Sequence, residues 1–140
     1  MIYIHYETNF FLEKETEKII ITWIKRVINM EKSELNEINY IFCNDDFLLR
    51  KNKKYLNHDN FTDIITFDYS EKDKITSDIM ISIDRVRENS IIFEKSFEEE
   101  LYRVMVHGVL HLLGYDDKTN KDKTIMRKKE DIYLNIILNN

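Results

Sequence analysis

The sequence predicts an α+β fold, a single domain over residues 1–140 in which a four-stranded mixed sheet packs with about five helices in the order βαβαββααα. Three observations carry this. Short runs of β-branched and aromatic residues alternate with longer runs whose apolar positions recur at helical spacing. One helical run near residue 105 is apolar almost all round, as a helix at the centre of a domain would be. No Ser/Gly-rich linker, internal repeat or low-complexity tract divides the chain.

In chain order, Ile2, Ile4 and Tyr6 alternate with Tyr3 and His5, the period of a strand. From Glu13 to Asn29 the apolar residues Ile20, Trp23, Ile24, Val27 and Ile28 fall on one helical stripe. Glu37 to Cys43 is rich in β-branched and aromatic residues and reads as the second strand. Asp45 is suited to cap a helix reaching Tyr55, with Phe47 and Leu48 inward. Leu56 to Thr62 is polar and irregular. Asp63–Phe67 and Asp78–Ser82 read as strands about a polar turn, Ser70–Lys74. Asp84 starts a short helix to Phe93. Ser96 and Glu99 have the form of a capping box for the apolar helix carrying Leu101, Met105, Val109 and Leu112. A last helix spans roughly Asn120 to Leu138.

The apolar share is 43% and the charged share 34%, an ordinary globular balance. No run approaches the ~18 apolar residues of a membrane span. The N-terminal residues lack the basic and apolar regions of a signal peptide. Cys43 is the single cysteine, in an apolar run that suggests a buried thiol and a reducing cytoplasm. A net charge of −5 weighs against a nucleic-acid partner. Arg50, Lys51, Lys53 and Lys54 form a local exception, a candidate polyanion site whose plainer reading is a solvated face.

Both glycines, Gly108 and Gly114, and two of the four histidines, His107 and His111, fall within the stretch Val106–Asp117. On a helix the two imidazoles leave one face a turn apart, a spacing at which both can bind one metal ion. Gly114 is placed to end the helix in a left-handed turn, so that Asp116 or Asp117 can return a third ligand. Such a His/His/Asp set suits zinc and leaves Mn²⁺ or Fe²⁺ open. Zinc peptidases keep a Glu as general base beside the first histidine of a His-x-x-x-His pair. Here Gly108 stands in that place, which lowers a peptidase reading. A glycine inside a helix costs ~1 kcal/mol relative to Ala, so it suggests close approach of another backbone or a substrate. The plainer reading of the pair is two packed histidines.

The block His107-Gly108-Val109-Leu110-His111-Leu112-Leu113-Gly114-Tyr115-Asp116-Asp117 resembles the His-Gly-x-Leu-His-Leu-x-Gly-Tyr-Asp-His signature of the YbeY family of bacterial rRNA maturation endoribonucleases. Asn52–Tyr55, Asp59, Thr62–Phe67 and Ser77–Ser82 resemble further segments of that family, in the same order. The resemblance implies zinc held by His107, His111 and the residue at Asp117. It implies cleavage of single-stranded RNA in small-subunit rRNA processing and ribosome quality control, in the cytoplasm and away from membranes. On this reading His107, His111, Asp117, Asp63 and Asp78 form the catalytic set. Thr62 and Asp63 either line the cleft or cap the start of a strand, and Asp78 either holds a histidine or is a plain strand-end residue. Arg50, Lys51, Lys53 and Lys54 would track the RNA backbone.

Three positions depart from the family. Asp117 replaces its third histidine, exchanging a neutral nitrogen for an anionic oxygen. Leu56 stands where the family has an Arg, removing a bidentate phosphate contact. Ser77 replaces a Gly, a local backbone difference. The competing expectations are a non-catalytic, metal-stapled protein that binds ribosomal components, which Leu56 favours, and a metal hydrolase of another bond.

Overall fold

The computed structural model describes residues 1–56 and 62–139, with the backbone alone for residues 55 and 56. Asp59 and the side chain of Leu56 therefore lie outside the described residues. The elements are β1 (Ile2–Tyr6), α1 (Lys14–Met30), β2 (Glu34–Cys43), α2 (Asp45–Leu56), β3 (Ile64–Asp68), β4 (Lys74–Ser82), α3 (Ile83–Ile92), α4 (Phe97–Leu112) and α5 (Asn120–Leu138). The order is the predicted one. The sheet runs β1-β2-β4-β3, with β1, β2 and β4 parallel and β3 antiparallel to β4. It is therefore mixed.

Strand parity sorts the side chains onto two faces. Ile38, Tyr40 and Phe42 of β2 and Ile79 and Ile81 of β4 join the main core, with α1, α4 and α5. Cys43, Ile65 and Met80 point the other way, under Leu48 and Phe47 of α2. Two buried hydrogen bonds fasten the main layer. Tyr40 Oη donates to the Met105 carbonyl at 3.0 Å, and Trp23 Nε1 donates to the Tyr133 carbonyl at 2.8 Å.

Gly108 sits where α4 crosses the sheet. A Cβ there would lie 2.9 Å from Ile64 Cδ1 and 3.3 Å from Ile79 Cγ2. The close approach expected at this glycine is real, but two sheet side chains make it, not a backbone or a substrate.

Several boundaries differ from the sequence expectation. Both β2 and β4 begin earlier, at Glu34 and Lys74. Their first halves are polar on the solvent side, so the β pattern is diluted there. The turn before β4 puts Lys72 and Asp73 at φ 51° and 65°, without a glycine. Asn44, not Asp45, caps α2, its Oδ1 accepting from Phe47 N at 2.8 Å. Asp45 is the first helical residue, and its carboxylate accepts from Ser82 Oγ and Arg85 Nε. Ser96 caps α4 through Glu99 N at 3.1 Å, while the Glu99 side chain leans to Lys95. A reciprocal capping box instead opens α5, between Thr119 and Asp122.

Candidate metal centre

Helix α4 ends in a Schellman turn. Tyr115 N donates to the Leu110 carbonyl and Gly114 N to the His111 carbonyl, both at 3.0 Å, with Gly114 at φ 101°. That left-handed residue sends the chain back along the helix and brings Asp117 over the two histidines. Asp117 Oδ2 lies 3.4 Å from Nε2 of His107 and 3.4 Å from Nε2 of His111. The three donor atoms lie within 4.8 Å of one another. Asp116, the other carboxylate considered, is exposed.

This donor set fits a small divalent ion. Bonds of 2.0–2.1 Å in a tetrahedral zinc site put neighbouring donors about 3.3 Å apart. Both histidines offer Nε2, and for His107 the reason is visible. Its Nδ1 is hydrogen-bonded to Glu130 Oε2 of α5 at 2.7 Å, which leaves Nε2 free to face inward. Glu130 is only 5% exposed. Its other oxygen accepts from Arg103 Nη1 at 2.8 Å, and Arg103 Nη2 reaches Asp131 at 2.8 Å. Burial works against the Glu130 charge, but the hydrogen bonds from His107 and Arg103 outweigh it and hold the carboxyl below its usual range. Burial likewise disfavours a charged His107, and the bond to Glu130 overcomes it and raises the imidazole.

The turn that carries Asp117 is anchored from outside. Tyr115 Oη donates to Glu31 Oε1 at 2.6 Å. Glu31, at the end of α1, also accepts from Tyr133 Oη and from Lys129 Nζ. Those bonds hold its carboxyl below the usual range against the cost of burial.

Beside His107 opens a cavity of about 520 Å³ whose wall includes Asp63, Glu100, Arg103 and Glu130. Burial raises Asp63, opposed by the nearby His107. Burial and the Asp63 charge push Glu100 up to about 7, against Arg103 and Arg127.

Of the residues singled out from sequence, the fold brings His107, His111 and Asp117 together, and Asp63 lines the cavity that His107 shares. Asp78 is not with them. It lies on the β4 face opposite Ile79, the residue that meets Gly108 of α4. The histidine partner expected of it is Glu130. Thr62 donates from Oγ1 to the Ile64 carbonyl at 3.4 Å, a local contact at the start of β3. Arg50, Lys51, Lys53 and Lys54 lie on α2, which packs on the other face of the sheet. The cations at the cavity are Lys95, Arg103 and Arg127. Glu31, Glu100, Arg103 and Glu130 were not foreseen. The one readable signal was a charge on a buried stripe, Glu130 among Met126, Tyr133 and Leu134.

The family model described as Endoribonuclease YbeY matches residues 3–137. Endoribonuclease YbeY of Flavobacterium psychrophilum is 54% identical over 94% of this chain and 92% of its own. That of Cytophaga hutchinsonii is 48% identical over 93% and 96%. A solution structure of a Thermotoga maritima protein superposes with a TM-score of 0.72 at 28% identity, covering 98% of this chain and 89% of that one. With the signature block folded into a three-donor cluster, and this likeness along nearly its whole length, the chain belongs to the endoribonuclease YbeY family.

Proposed function

We propose that this protein is a metal-dependent endoribonuclease that cuts single-stranded RNA, acting in maturation of small-subunit rRNA and in ribosome quality control in the cytoplasm. The reading rests on family membership, and one observation carries its chemistry: one carboxylate oxygen 3.4 Å from each of two histidine Nε2 atoms, the separation of neighbouring donors around a tetrahedral ion. Among the described residues no helix is long and apolar enough to cross a membrane.

His107, His111 and Asp117 are the proposed ligands of a zinc ion, with Mn²⁺ or Fe²⁺ as alternatives. A divalent ion held there would supply Lewis-acid activation of a phosphoryl group and of water. Glu130 fixes the tautomer of His107, so its Nε2 lone pair faces the cluster. Arg103 balances the Glu130 charge and keeps that carboxylate from turning to other partners. Asp63, which lines the cavity with His107, is the proposed group that accepts a proton or orients water. Lys123 and Arg127, in the pocket beside His107 and Asp117, and Lys95 on the cavity wall offer positive charge to a phosphodiester, and the α2 cations Arg50, Lys51, Lys53 and Lys54 would meet a longer strand farther out.

The test is cleavage of a labelled single-stranded RNA by purified protein whose metal content is measured in parallel. Wild type should carry one metal ion per chain and cut. His111→Ala should do neither while melting cooperatively. Cleavage that survives in that variant would rule against the proposal, because the activity would then come from elsewhere.

A further inference from the structure

Glu100 precedes His107 by two turns of α4, so both side chains line the same cavity, about 10 Å apart along the helix. Glu100 is 4% exposed, and among the described residues nothing hydrogen-bonds or ion-pairs with its carboxyl. The nearest guanidinium is engaged elsewhere, since Arg103 is held by Glu130 and Asp131. Among the described residues no side-chain polar atom is both buried and unpaired, so the unpartnered Glu100 oxygens are the open part of a residue otherwise covered. They turn a hydrogen-bonding edge into a space large enough for a ligand.

At the rim of that cavity stands Phe93, 55% exposed. The turn ending α3 keeps it there. Glu94 takes a φ of 56°, unfavourable for a residue with a side chain, and Lys95 N donates to the Ser90 carbonyl at 2.9 Å. The wall thus pairs an exposed aromatic ring with a recessed polar edge.

The charges narrow the occupant. Asp63, Glu100 and Glu130 would repel a phosphate group from the interior. Lys95, Arg103 and Arg127 would repel a cationic side chain. A flat, neutral group with apolar faces and a polar rim meets neither objection. We propose that the cavity is a base pocket, in which one nucleobase beside the scissile phosphate stacks on Phe93 and hydrogen-bonds through its edge to Glu100. The pocket rests on the ribonuclease reading. It adds to that reading a place where sequence is sensed.

The probe is a fluorescent single-stranded RNA hexamer, 2′-O-methylated so that it is not cut, carrying one abasic residue moved through successive positions. Removal of the base at one position should weaken binding to wild type about tenfold, the size of one stacked or paired base. Glu100→Leu, which can neither donate nor accept a hydrogen bond, should lose most of that penalty. Phe93→Ala should shrink it too, and because Phe93 is at the surface this variant guards against a folding defect in the first. Equal penalties at every position, or a localised penalty unchanged in both variants, would overturn the pocket. Cleavage of the unmethylated hexamer by wild type is scored separately. A protein that cuts while showing uniform penalties would lose the pocket and keep the nuclease. One that shows the localised, variant-sensitive penalty yet cuts nothing would keep the pocket and lose the nuclease.

Discussion

Glu130 of α5 hydrogen-bonds Nδ1 of His107 on α4 at 2.7 Å, and so a residue outside the signature block decides which nitrogen the block presents. Loss of a carboxylate that orients a metal-binding histidine typically costs 10–100-fold in metal affinity. Glu130→Ala should show a loss in that range by competition with a chromophoric chelator. It should also lower the melting temperature, since Arg103 would keep a buried charge without its main partner. Glu130→Gln should recover part of the affinity, because an amide oxygen can still accept from Nδ1–H.

Asp117 occupies the position where the family signature has its third histidine. Asp117→Ala should lose stoichiometric metal on purification, whereas Asp117→His should retain it. Elemental analysis of the three proteins decides the point. Tight metal unchanged in Asp117→Ala would remove Asp117 as a ligand and leave Asp116 to be tested next.

Glu100 gives a pH dependence with a definite sign. Its folded value is pushed up to about 7, chiefly by burial and by the Asp63 charge. The fold therefore favours the neutral acid. That contribution is whole below the unfolded Glu value near 4.3 and is lost as pH rises through about 7. Glu100→Gln should match wild type in urea unfolding at pH 4 and exceed it at pH 8. The gain should be on the order of 1–2 kcal/mol, kept modest because the carboxyl opens onto a cavity instead of packed apolar groups.

Tyr115 links the ligand-bearing turn to Glu31. Tyr115→Phe removes one hydrogen bond to a charged group and should cost about 1.5–3 kcal/mol in denaturant unfolding. Metal affinity should fall as well, because Asp117 lies two residues beyond the anchor. A variant destabilised but with unaltered affinity would show that the turn keeps its shape through Gly114 alone.

Cys43 is buried, and burial, with the charges of Asp84, Asp45 and Glu7, pushes its thiol up to about 12. A thiolate is the reactive form. The native protein should resist alkylation at pH 8, and labelling should appear together with global unfolding. Rapid labelling of the folded protein would show local opening between α2 and the sheet.

The element order was legible because helical and strand periodicities alternate cleanly along the chain. The polar halves of β2 and β4 were not, since lysine and glutamate on a solvent face look like loop. His107, His111 and Asp117 could be read together because one helix and one turn carry them all. Glu31 and Glu130 could not, because their partners are distant in sequence and only the docking of α1 and α5 on α4 unites them. Asp78 failed on parity. Its alternation with Ile79 was plain, but which face α4 would cover was not.

The bond from α5 to His107 also fixes an order of events during synthesis. Chains emerge from the ribosome amino end first. The histidines and Asp117 appear before Glu130 exists, and α5 must then dock, with Tyr133 meeting Trp23, before Nδ1 of His107 finds its acceptor. A nascent chain carrying the complete signature block is thus still an unfinished catalyst, and maturation of the centre waits on the arrival of the last helix.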